Sequence, residues 1–406
     1  MIQKYNIQRS CADTVFNIML FLISPALSNI STIIYANRQR YEQHTILSLS
    51  IAMVSLITPP FADIYRHTLL YFLFEHYAWS GFFQSNDHDF IFYTLTHLFA
   101  KQGIPFEFIS FLFVFTCYQI SFYLFKKLIN NDIARTWSSN IRFIVFLCFL
   151  FMVPFIAIIN GLRMATAAYI GVLGWYFIYS HIRFRGIIIY IIACCMHFGA
   201  MLFLPLIIST LFKKLNITRG VFIIGAFILL ISGNILLRVI PQEMIMAVEL
   251  EDEVTGYMIN SEERFDDTMS FNGFIAMFLE RLPLCVIGII LLLNTMRFSA
   301  RERSLMYITI LTAVLYFPFT VLFQRFAFFA IPLLIFLALL GTRNLMQQRL
   351  PIIIMLSCVI MTLSYGYGYR NVVAATPYYK MLYPSAYTII TTDTHENFRT
   401  ALIPKN

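Results

Sequence analysis

The most regular feature of the sequence is a succession of long apolar runs, which are separated by short polar breaks. Most of these runs approach the ~20 residues that a helix needs to cross the hydrocarbon core of a bilayer. Their limits predict about eleven membrane-spanning helices, over residues 15–35, 45–60, 106–125, 141–158, 164–180, 186–208, 220–240, 273–296, 304–322, 326–342 and 350–368. The predicted fold is therefore all-α, a single polytopic membrane domain over residues 1–406.

The charges between the apolar runs predict which side of the membrane each connection occupies. Short connections rich in lysine and arginine stay in the cytoplasm. The connections of this kind contain Arg38/Arg40, Lys126/Lys127/Arg135, Arg183/Arg185, Lys213/Lys214/Arg219, Arg297/Arg301/Arg303 and Arg343/Arg349. The external side then receives a loop with an amphipathic segment at 61–104, an acidic loop at 241–271 and the C-terminal tail at 370–406.

The apolar segment over 186–208 conflicts with a simple alternation of sides. It is one span long, yet the basic residues before it, Arg183 and Arg185, and those after it, Lys213 and Lys214, all indicate the cytoplasm. Either the segment is a broken or re-entrant pair around His197, or the connection after it violates the rule. We favour the broken pair, which requires protein or a wet cavity around its irregular backbone.

Composition agrees with a membrane protein and argues against two other classes. Hydrophobic residues make up 59% of the 406 residues and charged residues only 12%, so too few polar side chains exist to cover a soluble globule of this size. The net charge of +8 resides in short connections between spans and does not indicate binding to nucleic acid. The seven cysteines show no metal-ligand spacing, and we expect neither a metal nor another cofactor.

Arg163 interrupts nearly unbroken apolar sequence, at the junction of two predicted spans. Because charge is costly at membrane depth, an arginine there usually faces a cavity, a partner or a site rather than lipid. Arg325 marks the tip of a predicted external hairpin on the same side. Together the two arginines indicate an external cavity for an anion, since a guanidinium can bind two phosphate oxygens at once. Each arginine alone could instead extend to the lipid headgroups.

The predicted helix after Arg163 carries small residues at helical spacing, namely Ala167, Gly171 and Gly174. Small residues in one stripe let membrane helices approach closely. The stripe predicts a tightly packed partner helix that would fix the position of the arginine, although it could also be a packing feature with no such role.

Further polar residues near the external boundary could supply acid–base chemistry or hold sugars. His197 lies near the middle of its apolar segment, where it is either a structural hydrogen-bonding residue or a proton acceptor. Glu280 and Arg281 lie about two turns into a span that begins externally, and could simply neutralise each other. Asp63 and Tyr65 follow the second predicted span on the same side.

Short sequence elements between the apolar stretches resemble one known family. In chain order they are Ala62-Asp63-Ile64-Tyr65, Asp89-Phe90-Ile91-Phe92, the run from Phe155 to Tyr169 that contains Asn160-Gly161-Leu162-Arg163, Met196-His197-Phe198-Gly199-Ala200, Gln324-Arg325-Phe326-Ala327 and Pro377-Tyr378-Tyr379-Lys380. Their order and spacing resemble the EpsG/Wzy family of bacterial polysaccharide polymerases over most of residues 15–380. One departure is Phe61-Ala62, where the family usually has glycine-threonine before its Asp-Tyr element.

The resemblance implies a membrane glycosyltransferase of the bacterial inner (cytoplasmic) membrane. Such a polymerase joins undecaprenyl-diphosphate-linked oligosaccharide repeat units into O-antigen or a related surface polysaccharide at the periplasmic face. Its partners would be the lipid-linked glycan, the lipid bilayer, a flippase and a chain-length regulator.

For such a reaction, our hypothesis assigns roles to the candidate residues from their local chemistry, since cations at the external boundary would stabilise a leaving lipid diphosphate. Arg163 and Arg325 would bind the lipid diphosphate. His197, or else Asp63, would orient or deprotonate the acceptor hydroxyl, and Glu280 is a second candidate base. The remaining candidates for substrate binding are Arg281, Tyr65 and Asn160.

Two other functional classes fit parts of the pattern. A transporter or flippase for lipid-linked oligosaccharides would carry charge through the full membrane depth and have two related halves, and the sequence shows neither. A glycan ligase that depends on a polyprenyl lipid would also have a large external loop, so only the family elements distinguish it from a polymerase.

Overall fold

A computed structural model describes residues 2–41, 43–76, 89–212, 215–239, 275, 278–293, 298–316, 320–341 and 349–399. These residues are overwhelmingly helical, which confirms the predicted all-α class. The α-helices are α1 (Ile2–Ile23), α2 (Pro25–Asn37), α3 (His44–Ala52), α4 (Ala62–His76), α5 (Phe90–Lys101), α6 (Glu107–Ile129), α7 (Ser139–Phe151), α8 (Phe155–Asn160), α9 (Leu162–Tyr179), α10 (Arg183–Met196), α11 (Leu204–Leu211), α12 (Arg219–Val239), α13 (Leu282–Leu293), α14 (Ala300–Tyr316), α15 (Thr320–Leu340), α16 (Arg349–Gly368), α17 (Arg370–Ala375), α18 (Ser385–Ile390) and α19 (Thr394–Arg399). Short 3₁₀ helices cover Met53–Leu56, Asp132–Thr136, Phe198–Phe203 and Tyr378–Leu382.

Four helical stretches among the described residues are long and apolar enough to cross a membrane. They are Glu107–Ile129, Ser139–Asn160, Leu322–Leu340 and Arg349–Gly368. Five shorter apolar stretches accompany them, at Ala12–Ile23, His44–Leu56, Phe198–Leu211, Arg219–Leu229 and Leu282–Leu291. The chain is therefore a multi-pass membrane protein, while the count of eleven spans stays a prediction.

The helix predicted over 15–35 is divided in the structure. It ends at Ile23, and α2 begins at Pro25. The side chain of Ser24 accepts a hydrogen bond from the backbone N–H of Leu27, at 3.4 Å, and so caps the second helix. Proline suits the first helical position because it has no N–H to lose there. The apolar pattern runs through this junction unchanged, which is why hydropathy alone missed the division.

The helix that carries Arg163, α9, lies in the protein core and packs against α10, α6 and α15. Its closest approach is to α10. A Cβ atom on Gly174 would lie 2.9 Å from the carbonyl oxygen of Gly186, and a Cβ on Gly186 would lie 2.6 Å from that of Gly174. Only glycine fits at both positions, since the obstructing atoms are backbone. The close partner helix predicted from the small-residue stripe is thus α10.

The apolar segment around His197 is broken, as the charge conflict predicted. Helix α10 ends at Met196, His197 has extended backbone, and a 3₁₀ turn leads into α11. Arg183 Nη2, at the start of α10, donates to the carbonyl oxygen of Leu211, at the end of α11, over 3.3 Å. At about 21 Å, α10 is shorter than the ~30 Å hydrocarbon core. The segment therefore turns at His197, and its two ends lie close together; that it re-enters the membrane stays a prediction.

The two described parts of the predicted external region meet where α19 contacts α4. Helices α4 and α5 lie within 61–104, and α17 to α19 lie within the C-terminal tail. The tail is fixed at two places: Ser24 Oγ donates to the Met381 carbonyl oxygen at 3.1 Å, and Thr394 Oγ1 donates to Glu107 Oε2 at 2.7 Å. The acidic loop predicted at 241–271 lies outside the described residues.

Candidate functional site

A polar cavity of about 490 Å³ opens between the start of α4, the junction of α8 and α9, and helices α15 and α16. Its volume is in the range of sites that bind small molecules or cofactors. Its walls are formed by Ala62, Asp63, Arg66, Ala157, Asn160, Gly161, Arg163, Met164, His197, Glu280, Gln324, Arg325, Phe328, Tyr365 and Tyr369. Charged and amide side chains from distant parts of the chain therefore face one space.

Six of the eight residues that sequence analysis selected line this cavity. They are Asp63, Asn160, Arg163, His197, Glu280 and Arg325. The other two lie outside its walls. The guanidinium of Arg281 lies over the ring of Phe323, 4.5 Å from its centroid, and the ring of Tyr65 stacks on Phe398 with centroids 5.0 Å apart.

Arg163 is held by one carboxylate and two aromatic residues. Its Nη1 atom donates to Asp89 Oδ2 and to the Tyr93 hydroxyl, each at 2.7 Å. Its guanidinium lies over the rings of Phe92 and Tyr93, at 5.5 and 5.4 Å from their centroids. Only 12% of the side chain is exposed. These contacts fix a cation at the cavity wall, where its charge is poorly screened by water.

His197 shares the same carboxylate. Its Nδ1 atom lies 2.7 Å from both Asp89 oxygens. The backbone N–H of Phe198 donates to Asp89 Oδ1 at 2.9 Å. Gly199 lies close beside the ring, since a Cβ atom there would lie 3.1 Å from His197 Nε2 and crowd the imidazole. The helix break after Met196 thus puts both the imidazole and the next backbone amide on Asp89.

Asp89, whose chemical role sequence analysis missed, joins these two residues. Its side chain is fully buried, and its backbone is left-handed, with φ 53° and ψ 38°. Burial alone would raise the pKa of this carboxyl. The hydrogen bond from His197, the charges of His197 and Arg163 and the Phe198 amide outweigh burial and hold the pKa below its usual range. The sequence signal that could have identified Asp89 was an acidic residue directly before the predicted amphipathic segment, which forms α5.

A second group of lining residues forms a chain of hydrogen bonds around Asp63. The Asp63 backbone N–H donates to Asn160 Oδ1 at 3.4 Å, and Asn160 Nδ2 donates to the Tyr369 hydroxyl at 2.7 Å. His67 Nε2 lies 3.1 Å from Asp63 Oδ2. Burial would raise the pKa of Asp63, but the hydrogen bond from His67 and the charges of His67, Arg163 and Arg66 lower it to about 2.

The arrangement combines cations with hydrogen-bonding groups suited to hydroxyls. Three arginines line the cavity, at positions 66, 163 and 325, and the charge of Arg325 reaches the His197 ring. Such a wall can hold a phosphate-type anion. The carboxylate, amide and phenol groups that also line the cavity can hydrogen-bond sugar hydroxyls. Among the residues that the structure describes, no cluster of three or more His, Cys, Asp or Glu side chains is arranged to hold a metal ion.

The sequence model of the EpsG family matches residues 44–384, which is most of the chain. The match spans every short element on which the resemblance rested, from Ala62 to Lys380. No curated protein and no solved structure is detectably similar to the chain. The family match supports a polysaccharide polymerase-type function in general.

Proposed function

The chain belongs to the EpsG family, a Wzy-like polysaccharide polymerase family, and on that premise we propose the reaction that its cavity performs. The protein joins undecaprenyl-diphosphate-linked oligosaccharide repeat units into O-antigen or a related surface polysaccharide. It lies in the bacterial inner membrane with the cavity facing the periplasm. Its partners there are a flippase, which delivers the lipid-linked units, and a chain-length regulator.

The reaction transfers the growing glycan from one lipid diphosphate to the next repeat unit. A hydroxyl oxygen of the acceptor sugar forms a bond to the anomeric carbon of the donor. The bond between that carbon and the diphosphate oxygen breaks, and its electron pair leaves with the lipid diphosphate. The acceptor proton needs a base, and the developing negative charge needs cations.

One observation carries the proposal: Arg163, Arg325 and His197 line a single cavity at the end of membrane helices. Arginines held in a site with little water stabilise a leaving diphosphate more strongly than they would in solution. Asn160 hydrogen-bonds both Asp63 and Tyr369 in the same cavity, and this group receives the acceptor sugar. Arg281 and Tyr65 lie behind the walls and support Phe323 and Phe398.

The choice of base follows from the chemistry of the three candidates. With a pKa of about 2, Asp63 is a weak proton acceptor for a sugar hydroxyl. It is suited to orienting that hydroxyl by accepting a hydrogen bond. Imidazole is the side chain most often used as a general base, and the His197 ring lines the cavity. His197 is therefore the base in this proposal, and Glu280, which lines the same cavity, is the second candidate.

The test replaces Arg163, His197 and Arg325 singly by alanine in the bacterium that carries the gene, and separates the surface glycans on gels. We expect loss of the long-chain ladder while glycans capped with a single repeat unit remain. Arg370→Ala is the matched control, because Arg370 is exposed on the same predicted side, outside the cavity walls. It should leave the ladder intact.

Two outcomes of that test would contradict the proposal. A normal ladder from Arg163→Ala, with the protein present in the membrane, would remove Arg163 from the site. Loss of the single-unit band together with the ladder would indicate a defect in transport rather than in polymerisation.

A further inference from the structure

We propose that Asp89 is a positioning residue of the polymerase reaction, which holds the His197 ring so that its Nε2 atom takes the proton of the acceptor hydroxyl. This inference rests on the function proposed above and assigns a role to a residue with no place in that scheme. Its basis is the geometry around one buried carboxylate.

The contacts of Asp89 decide which ring nitrogen carries the proton. An ionised carboxylate only accepts hydrogen bonds. His197 Nδ1 lies 2.7 Å from both carboxylate oxygens and must therefore be the protonated nitrogen. In the neutral ring Nε2 is then the acceptor. His197 lines the cavity. Its Nε2 atom is therefore the ring nitrogen that can accept a proton from a substrate bound there.

The backbone of Asp89 is adapted to this task. Its left-handed conformation, with φ 53°, is one that aspartate, asparagine and glycine adopt more readily than other residues. The turn places the carboxylate where the Phe198 N–H also reaches it, at 2.9 Å. One buried group thereby orients the imidazole and fixes the chain that follows it.

The Asp89 carboxylate also sets the position of the proposed base, His197, relative to the guanidinium of Arg163. Arg163 Nη1 lies 2.7 Å from Asp89 Oδ2, the oxygen that also faces His197 Nδ1. The charged groups around the imidazole are thus Asp89, Arg163 and Arg325. Asp89 is the negative one among them, and it stabilises the imidazolium that forms when Nε2 accepts the proton.

The step balances without any further reactant. The acceptor oxygen bonds to the anomeric carbon, the diphosphate oxygen leaves with the electrons of the old bond, and the acceptor proton moves to Nε2. The imidazolium then passes that proton to water before the next cycle. Asp89 stays ionised throughout and forms no bond to the substrate.

The first variant that tests this role is Asp89→Asn, since asparagine also accepts the left-handed conformation. The full-length protein is purified into vesicles and supplied with lipid-linked repeat units extracted from a strain lacking the gene. We expect the initial rate of chain growth to fall on the order of 100-fold. The acidic limb of the pH–rate profile should move to lower pH, because imidazolium loses its proton more readily without the neighbouring negative charge.

A control variant and a rescue variant separate the positioning role of Asp89 from an effect on folding. Asp13→Asn removes a carboxylate from another arginine ion pair, that of Asp13 with Arg40, outside the cavity walls, and should change neither rate nor profile. The second variant, Asp89→Gly, suits the backbone and leaves a space that formate can enter. Added formate should restore part of the rate of Asp89→Gly and should leave the wild-type rate unchanged.

A double-mutant cycle supplies the decisive comparison. If Asp89 acts through the imidazole, Asp89→Asn should lower the rate much less in a His197→Ala background than in the wild type. An equal loss in both backgrounds, or an unchanged acidic limb with no formate rescue, would overturn the inference while leaving the polymerase proposal intact. A wild-type protein that makes no polymer from these units would contradict the polymerase proposal, and this inference with it.

Discussion

Arginine and histidine enter the interior of a membrane protein only with partners, and here one aspartate serves both. A buried charge that loses its partner is strongly destabilising, whereas a paired one is tolerated. Arg163, His197 and Asp89 form such a set, with 2.7 Å contacts on both sides of the carboxylate. Their arrangement also supplies what glycosyl transfer needs, since it fixes a cation and a base beside one cavity.

The two aspartates near the cavity should respond differently to pH. With a pKa of about 2, Asp63 is ionised throughout the range from about pH 5 to 8. Asp63→Asn should therefore lower the rate of chain growth without moving the acidic limb of the pH–rate profile, in contrast to Asp89→Asn. Rates measured in vesicles across that range check both variants. A shifted limb in Asp63→Asn would make Asp63 the titrating base.

The low pKa of Asp63 also predicts the sign of its contribution to stability. A depressed pKa stabilises the folded state above the unfolded value of 3.8, and this stabilisation is lost only as pH falls through about 2. The thermal midpoint of Asp63→Asn should therefore lie below that of the wild type by a constant amount between about pH 5 and 8. A difference that changed between pH 5 and 8 would contradict this prediction, because it would require a folded-state pKa raised above 3.8.

At the scale of elements, the break between α10 and α11 brings His197 to the cavity. Its position depends on the contact between α10 and α9 at Gly174 and Gly186, where backbone meets backbone. No flexible side chain lies at the Gly174 contact to absorb an added methyl group. The placement of α10, and with it that of His197, is therefore linked to the packing of the helix that carries Arg163.

Gly174→Ala should separate these two helices. We expect a loss of about 1–3 kcal/mol in the free energy of unfolding, because overpacked interiors relax poorly, and a lower rate of chain growth because His197 moves with α10. Thermal unfolding in detergent measures the first effect. Gly225→Ala is the matched control in another apolar helix, where a Cβ atom would lie 3.5 Å from the flexible end of Leu311. Equal stability of the two variants would show that the close contact is not required.

How much of this the sequence predicted depends on the kind of signal. Charge conflict predicted the break at His197, and small-residue spacing predicted the close partner of α9. Polar and charged residues beside apolar runs, together with the family elements, identified six of the residues that line the cavity. Asp89 was missed because its partners lie 74 and 108 residues away. Arg281 and Tyr65 looked equivalent to the lining residues, and only packing against Phe323 and Phe398 distinguishes them.

At the scale of the whole molecule, the cavity is assembled from parts that are far apart along the chain. Its walls extend in sequence from Ala62 to Tyr369, so no single segment can form it. The C-terminal tail supports one lining residue indirectly. Phe398 of α19 stacks on Tyr65 of α4, the helix that carries Asp63. Glu107 fixes this tail: it is buried and accepts from Thr394 Oγ1 at 2.7 Å and Asn397 Nδ2 at 2.9 Å.

Thr394→Val should release the tail from the rest of the protein. The change removes the hydroxyl that donates to Glu107 and accepts from the Phe106 N–H at 2.8 Å, and each buried group left without a partner costs about 1–3 kcal/mol. We expect faster proteolytic cleavage between residues 376 and 399, and slower chain growth because α4 loses its support. Thr392→Val is the control, since that hydroxyl bonds only within its own turn, to the Thr388 carbonyl at 2.8 Å. A tail as resistant as the wild type, with chain growth unimpaired, would show that the position of Asp63 does not depend on the docked C-terminus.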